Sequence, residues 1–248
     1  MTDQSRLIIL DAIDGAGKST VIRAMTDWLE VRGLRLFDLV AYMRAYKRLP
    51  EISDPLLQGS DVLLSAEPTY AWIGAAIREE IIKTHPDRQY DGFTAAYAFA
   101  LDRQILFSRV ILPYLAERPR RWVIQDRSLL SSLAYQPLQD ERVTFEWLLS
   151  LQGNQHELSR PPDLMLLLTL SPEEAMRRLQ GRGEKIDGHI YETHDFQSRL
   201  VARYRDPVIT APYREAGTRI VEIDASQSPQ KVGKDAIAEL RKLEYTFI

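Results

Sequence analysis

Near-continuous apolar runs alternate along the chain with stretches whose apolar positions recur every three or four residues. The run RLIILDAI, ending at a glycine-rich turn, predicts a buried parallel strand. After that turn Val21, Ile22, Met25, Trp28 and Leu29 recur at helical spacing, with a stop near Gly33. Four further strand-like runs follow: DVLLSA (61–66), RWVIQ (121–125), DLMLLLTL (163–170) and TRIVEI (218–223). Helical patterns cover 72–83, 94–112, 128–136, 172–180, 192–205 and 229–242. Five strands alternating with helices predict an α/β chain, a parallel sheet covered on both faces. No repeat, low-complexity tract or linker divides residues 1–248, so one domain is expected. Residues 34–60 are the least regular. An extra strand, a basic-aromatic helix and a Pro-containing loop fit there, as a surface insertion or as an element that covers substrate or binds a partner.

Composition narrows the classes. The 248 residues are 45% hydrophobic and 27% charged, with a net charge of −3, against a general binder of nucleic acid or anionic membrane. There are no cysteines, which excludes disulfides and thiolate chemistry. The four histidines have no metal-ligand spacing; His189 and His194, five apart, read as surface residues. The N-terminal apolar run is too short to span a membrane and lacks a signal-peptide pattern, so the expected location is cytoplasmic.

Three clusters carry chemistry. In LDAIDGAGKST, Gly15 and Gly17 allow the backbone to curl so that the amides of Asp14 to Thr20, including Ala16, converge on an anion at a helix start. Lys18 would bridge β- and γ-phosphates, and Ser19 would offer its hydroxyl to Mg²⁺, with the Asp14 carboxylate near the metal or its waters. The leading glycine of the G-x-x-x-x-G-K-[ST] pattern is Ala12, which is nearly neutral if its φ is negative. In QDRSLLSSLAYQ, Asp126 ends a strand, a place for a metal ligand, and Arg127 would clamp a second phosphate. Ser128, Ser131, Ser132 and Tyr135 follow in one polar stripe that a solvated helix face would also explain. In YAFALDRQILF, Phe99, Asp102, Arg103 and Leu106 share a face: an aromatic ring beside hydrogen-bonding groups suits a nucleobase, and core packing suits Phe99 as well.

Taken in order, DGAGKST, AEP, FALDR, DRSLLSSLAYQ, PPDLMLLLTLSPEEAMRRLQGRG and IDASQSP closely resemble the motifs of thymidylate kinases, over most of the chain except about 34–60 and 137–160. The resemblance implies a P-loop three-layer sandwich with a five-stranded parallel core, ATP and Mg²⁺ as cofactors, dTMP as substrate, and a homodimer. By position it implies that Phe99 stacks on thymine and Arg103 hydrogen-bonds its edge, with Ser132 offering a polar group to the base. Arg78 and Arg127 would hold the acceptor phosphate, Tyr135 would crowd the sugar 2′ position, and Glu67, Pro68 and Tyr70 would border the substrate. A lid is implied at about 181–191. Arg178 and Arg182, with Arg177 and Lys185 nearby, are its candidate catalytic arginines, alongside Asp14, Lys18 and Arg127. Ala225 would border adenine. The chain departs from the family pattern at Ala12, at Ala66 (arginine is usual) and at Ser128 (tyrosine or histidine is usual).

Two other functions share these features. EPTYAW also resembles deoxynucleoside kinases, in which Glu67 would be the base that a neutral 5′-hydroxyl needs. A monophosphate is already ionised and needs cations instead, which Arg78, Arg103 and Arg127 supply. A non-catalytic nucleotide-binding protein would bind ATP without transferring phosphate.

Overall fold

The fold comes from a computed structural model, which describes residues 4–83, 87, 89–181 and 194–245. β1 (Arg6–Ala12) leads through the glycine turn into α1 (Lys18–Val31); β2 (Leu36–Asp38), α2 (Leu39–Tyr46) and α3 (Pro55–Gly59) follow. β3 (Val62–Ala66) precedes α4 (Trp72–Ala76), which runs on into a π-helical turn, Ile77–Ile81. α5 (Gly92–Leu106) is continued by a second π-turn, Phe107–Ile111, and by α6 (Leu112–Glu117). Then come β4 (Trp122–Asp126), α7 (Leu129–Gln139), α8 (Phe145–Ser150), α9 (Gln152–Ser159) and β5 (Leu164–Thr169). The chain ends with α10 (Pro172–Gln180), α11 (His194–Arg205), α12 (Pro207–Glu215), β6 (Arg219–Asp224) and α13 (Pro229–Tyr245).

One parallel sheet has the order β2-β3-β4-β1-β5-β6. All seven residues of central β1 are buried, because helices cover both faces. Alternate side chains feed two cores: Leu7, Leu63 and Val123 meet α5, α6 and the insertion, while Ile8, Val62 and Ile124 belong to the core on the other face. Helix starts follow local chemistry, with Ser128, Thr144, Ser171 and Asp206 capping α7, α8, α10 and α12 through their side chains.

The five expected strands are present with small shifts of boundary, and a sixth, β2, is added. It is three residues long, too short to show a period, and pairs only with β3, Leu36 opposite Val62. The helix expected at 72–83 divides into α4 and a π-turn, and the one at 94–112 extends from Gly92 to Glu117. Helices α8, α9 and α12 were not expected. Polar α9 buries Asn154 and Glu157 and shows no helical apolar stripe, and α12 is a short helix interrupted in sequence by Pro207 and Pro212, which read as breakers. The strand and helix foreseen within 34–60 are β2 and α2, and the Pro-containing segment holds α3.

Candidate active site

Parallel strands end on one edge of the sheet, so the segments after β1, β3 and β4 meet there. Leu10 and Ala66 both lie opposite Asp126 in the registers that join these strands. Together with α5 and α7 they enclose a cavity of about 260 Å³. Its lining includes Gly15, Gly17, Lys18 and Ser19 around the start of α1, Arg78, Asp126 and Arg127, and Phe99, Ser132 and Gln136 from α5 and α7.

The phosphate loop has the geometry its glycines imply. Gly15 and Gly17 have φ of 80° and 88°, and no side chain caps the start of α1, so its first amides are left for an anion. Ala12 is the buried last residue of β1 and is not among the residues of positive φ; its methyl group is accommodated without backbone strain. Ala16 is buried, Thr20 exposed. Burial depresses the pKa of Lys18, helped by the like charge of Arg127 and opposed by Asp126, Asp14 and Asp11. A phosphate beside Lys18 would reverse that shift.

Arg127 sits at φ 71°, a left-handed conformation rare for its residue type, which aims the side chain back over the loop. Its Nη1 donates to the Ala12 carbonyl (3.1 Å) and Ser131 Oγ (3.0 Å), and its Nη2 donates to the Asp14 carboxylate. Tyr135 donates to the other oxygen of Asp14 at 3.0 Å. Burial opposes the charge on Arg127, but Tyr135 and Asp14 more than offset it and hold its pKa well above the ordinary guanidinium value.

Arg78 comes from the π-turn, an irregularity frequent at functional sites. Its Nε donates to the Pro68 and Thr69 carbonyls (2.9 and 3.1 Å), its Nη2 also to Pro68, and its guanidinium carbon lies 3.8 Å from the Tyr70 ring centroid. Asp102 secures those carbonyls from below, accepting from Thr69 N and Oγ1 at 2.7 Å each.

Arg103 is brought to the site but lies beneath its lining, fully buried. Its Nη2 is 2.6 Å from Glu67 Oε2, its Nε is 3.2 Å from Glu157 Oε2, its Nη1 donates to Asn154, and its Nη2 approaches Ser132 Oγ at 3.3 Å. Burial pushes the Glu67 carboxyl up to about 8, with Arg103 opposing the shift and Glu157 and Asp102 adding to it. Glu67 also accepts from Gln125 Nε2 at 3.0 Å.

Arg178 pairs with Glu174 (2.7 Å) and donates to the Ala225 carbonyl (2.9 Å), on the side expected to border adenine. Arg177 binds the same Glu174. Arg182, Lys185 and His189, and the expected lid apart from Gly181, lie outside the described residues. His194 is exposed.

Several residues of this site were not singled out from sequence. Asp11, fully buried, accepts from Ser128 (2.9 Å), Ser131 (2.8 Å), Tyr204 (2.7 Å) and the Ala12 amide (2.9 Å), which explains the serine at 128. A carboxylate inside the run RLIILDA was a visible signal, since buried charge requires partners. Glu157 and Tyr204 gave none. Gln136 Oε1 and Asp126 Oδ1 are buried at the cavity without a hydrogen-bond partner among the described residues.

No group of three or more His, Asp or Glu among the described residues is arranged as a metal cage. Ser19 and Asp126 do fit a cation that takes few protein ligands and several phosphate or water oxygens, as Mg²⁺ does. No helix of the described residues is long and apolar enough to cross a membrane.

Comparison with known proteins agrees with this geometry. The family model described as Thymidylate kinase matches residues 54–236. A probable thymidylate kinase of Pyrococcus abyssi is 33% identical over 181 residues, 71% of this chain and 70% of that protein. The probable thymidylate kinase of Thermococcus onnurineus is 29% identical over 236 residues, 93% and 95% of the two chains. The thymidylate kinase of Caldicellulosiruptor saccharolyticus is 30% identical over 193 residues, 77% and 78% of the two chains. With the glycine turn at the start of α1 and two arginines lining one cavity, and with matches of this extent, the chain belongs to the thymidylate kinase family.

Proposed function

We propose that the protein transfers the γ-phosphoryl group of ATP to dTMP, giving dTDP and ADP. The observation that carries this reading is one cavity lined together by Lys18 at the start of α1, by Arg78 and Arg127, and by Phe99. Two polyanions repel each other, and placing fixed cations and amides between them is the main task of such a site. The monophosphate oxygen attacks the γ-phosphorus in line as the bond to ADP breaks; the acceptor is ionised already, so no base is required. Lys18 neutralises charge spreading over the equatorial oxygens, and Arg78 and Arg127 hold the acceptor phosphate. Mg²⁺ held by Ser19 and Asp126 would neutralise the donor phosphates. Phe99 stacks on the base, while Ser132 and Gln136 offer polar atoms to its edge, with Arg103 fixing Ser132 from behind. Tyr135 lies against the sugar. We assign Arg178, Arg182 and Ala225 to the ATP side, with closure of 181–191 excluding water.

The state of Glu67 separates this reading from a nucleoside kinase. Its carboxyl is engaged by Arg103 at 2.6 Å and accepts from Gln125 at 3.0 Å, partners it would have to give up to take a proton from a hydroxyl. We place the single-domain enzyme in the cytoplasm as a homodimer, which light scattering on the purified protein tests. The deciding experiment couples ADP release with Mg-ATP to a panel of pyrimidine nucleosides and monophosphates. The expected result is turnover of dTMP at least about a hundredfold more efficient than that of thymidine. Turnover of the nucleoside alone, or ATP binding without transfer to any acceptor, would overturn the assignment.

A further inference from the structure

A side chain of the insertion touches a residue that lines the active-site cavity. Helix α2 is anchored from two directions: Asp38 caps its start by accepting from Ala41 N at 2.9 Å, and Leu39 and Met43 are fully buried in the core that also holds Phe37 and Leu63. With Met43 fixed, the next residue, Arg44, leaves the helix toward the end of β3. Its Nη2 donates to Tyr70 Oη at 2.7 Å, and its guanidinium carbon lies 4.2 Å from the Tyr70 ring centroid. The same ring carries Arg78 at 3.8 Å, and both Tyr70 and Arg78 line the cavity.

Nε and Nη2 of Arg78 are committed to the Pro68 and Thr69 carbonyls, which leaves the Nη1 end for an anion. The tilt of that end is set by what its plane rests on, the Tyr70 ring. A half-buried tyrosine at a cavity wall can turn about two side-chain bonds. Arg44 removes that freedom by holding both the hydroxyl and the ring. It also adds a second positive charge near the acceptor end. The family match begins at residue 54, so α2 lies outside the matched segment.

We propose that Arg44 is a positioning residue for the acceptor phosphate: it locks Tyr70, and through Tyr70 the guanidinium of Arg78, so that the insertion completes the phosphate side of the pocket. This rests on the dTMP kinase reading. The test compares Arg44→Ala, Arg44→Lys and Tyr70→Phe with the unaltered protein in steady-state kinetics, and in calorimetric binding of dTMP and of thymidine, which lacks the phosphate. Arg44→Ala should raise KM for dTMP about three- to tenfold, a fraction of the worth of one exposed cation–π contact plus one hydrogen bond, because the contact acts on the phosphate only through Tyr70 and Arg78. KM for ATP, kcat and thymidine affinity should stay put, and the thermal midpoint should fall by no more than a few degrees. Tyr70→Phe keeps the ring and should show a smaller rise in KM. Arg44→Lys should not restore the parent value, because an ammonium lacks the planar face that stacks. The inference is overturned if Arg44→Ala leaves KM for dTMP unchanged, or weakens dTMP and thymidine equally. Should the unaltered protein fail to turn over dTMP in the same assay, the functional reading falls instead, and the two failures are thereby told apart.

Discussion

Arg127 and Asp14 form an ion pair in the wall of the cavity, joining the residue after β4 to the loop after β1. The side chain expected to clamp the acceptor is therefore held by the loop expected to hold the donor, with Tyr135 on the same carboxylate. In the proposed reading both substrates would be seated against this pair, and errors in the distance between them would cost rate directly.

Replacing Arg127 with alanine should lower kcat/KM for dTMP about 10²- to 10³-fold, the usual cost of losing a donor aimed at transferring charge. ATP affinity, measured by calorimetry, should change by less than about threefold, since Lys18 and the α1 amides remain. Lysine at 127 should recover only part of the loss, because it lacks the two-pronged guanidinium. Unaltered turnover would remove Arg127 from this role.

The loop's two unusual positions should respond in opposite ways. A Cβ on Gly15 would stand 2.7 Å from the Ala175 carbonyl at a φ of +80°, so Gly15→Ala should abolish measurable ATP binding at millimolar nucleotide. Ala12→Gly restores the commoner residue but adds chain freedom to a strand end. It should leave KM for ATP within about twofold while costing about 0.5–1 kcal/mol in denaturant unfolding. A large gain in ATP affinity from Ala12→Gly would show that the methyl group impairs the loop.

Stability should fall as pH rises between about 4.5 and 8. Glu67 has its carboxyl raised from 4.5 to about 8, so over that window the folded protein binds a proton that the unfolded chain has released. The stabilisation is complete below the unfolded value and is lost as pH passes through the folded one, at no more than about 1.4 kcal/mol per pH unit. Asp140 and Glu174, held down to about 2, act the other way and only at lower pH: they stabilise above their ordinary values, and that stability is lost on acidification. Thermal midpoints of the parent and of Glu67→Gln, taken at half-unit steps, should show a shallower slope in the variant. Parallel curves would mean that Glu67 does not titrate in this range.

Phe99→Ala should weaken thymidine and dTMP together, by at least about fivefold, because stacking on a base is worth about 1–3 kcal/mol and ignores the phosphate. Comparison with Arg44→Ala, expected to affect only dTMP, would map the base and phosphate ends of the cavity separately. Loss confined to dTMP would contradict the place given to Phe99.

Much of this was legible in one dimension. The apolar runs fixed five parallel strands, and the glycines, Lys18 and the strand-ending Asp126 announced themselves because their chemistry depends on immediate neighbours. The resemblance of six ordered motifs to thymidylate kinases supplied the substrate. Strand β2 escaped because three residues show no period, and α9 because its buried face is polar.

The fate of each arginine was decided only in three dimensions. Spacing put Arg103 on a face with Phe99, but Glu67 and Glu157, distant in sequence, draw it below the cavity lining. Nothing in the sequence of segment 34–60 singled out Arg44; packing of Leu39 and Met43 turns α2 so that it meets Tyr70. Backbone and apolar periodicity are properties of neighbouring residues and can be read along the chain. Whether a buried cation faces a ligand or a carboxylate depends on which remote segments supply its partners, and the folded chain alone settles that.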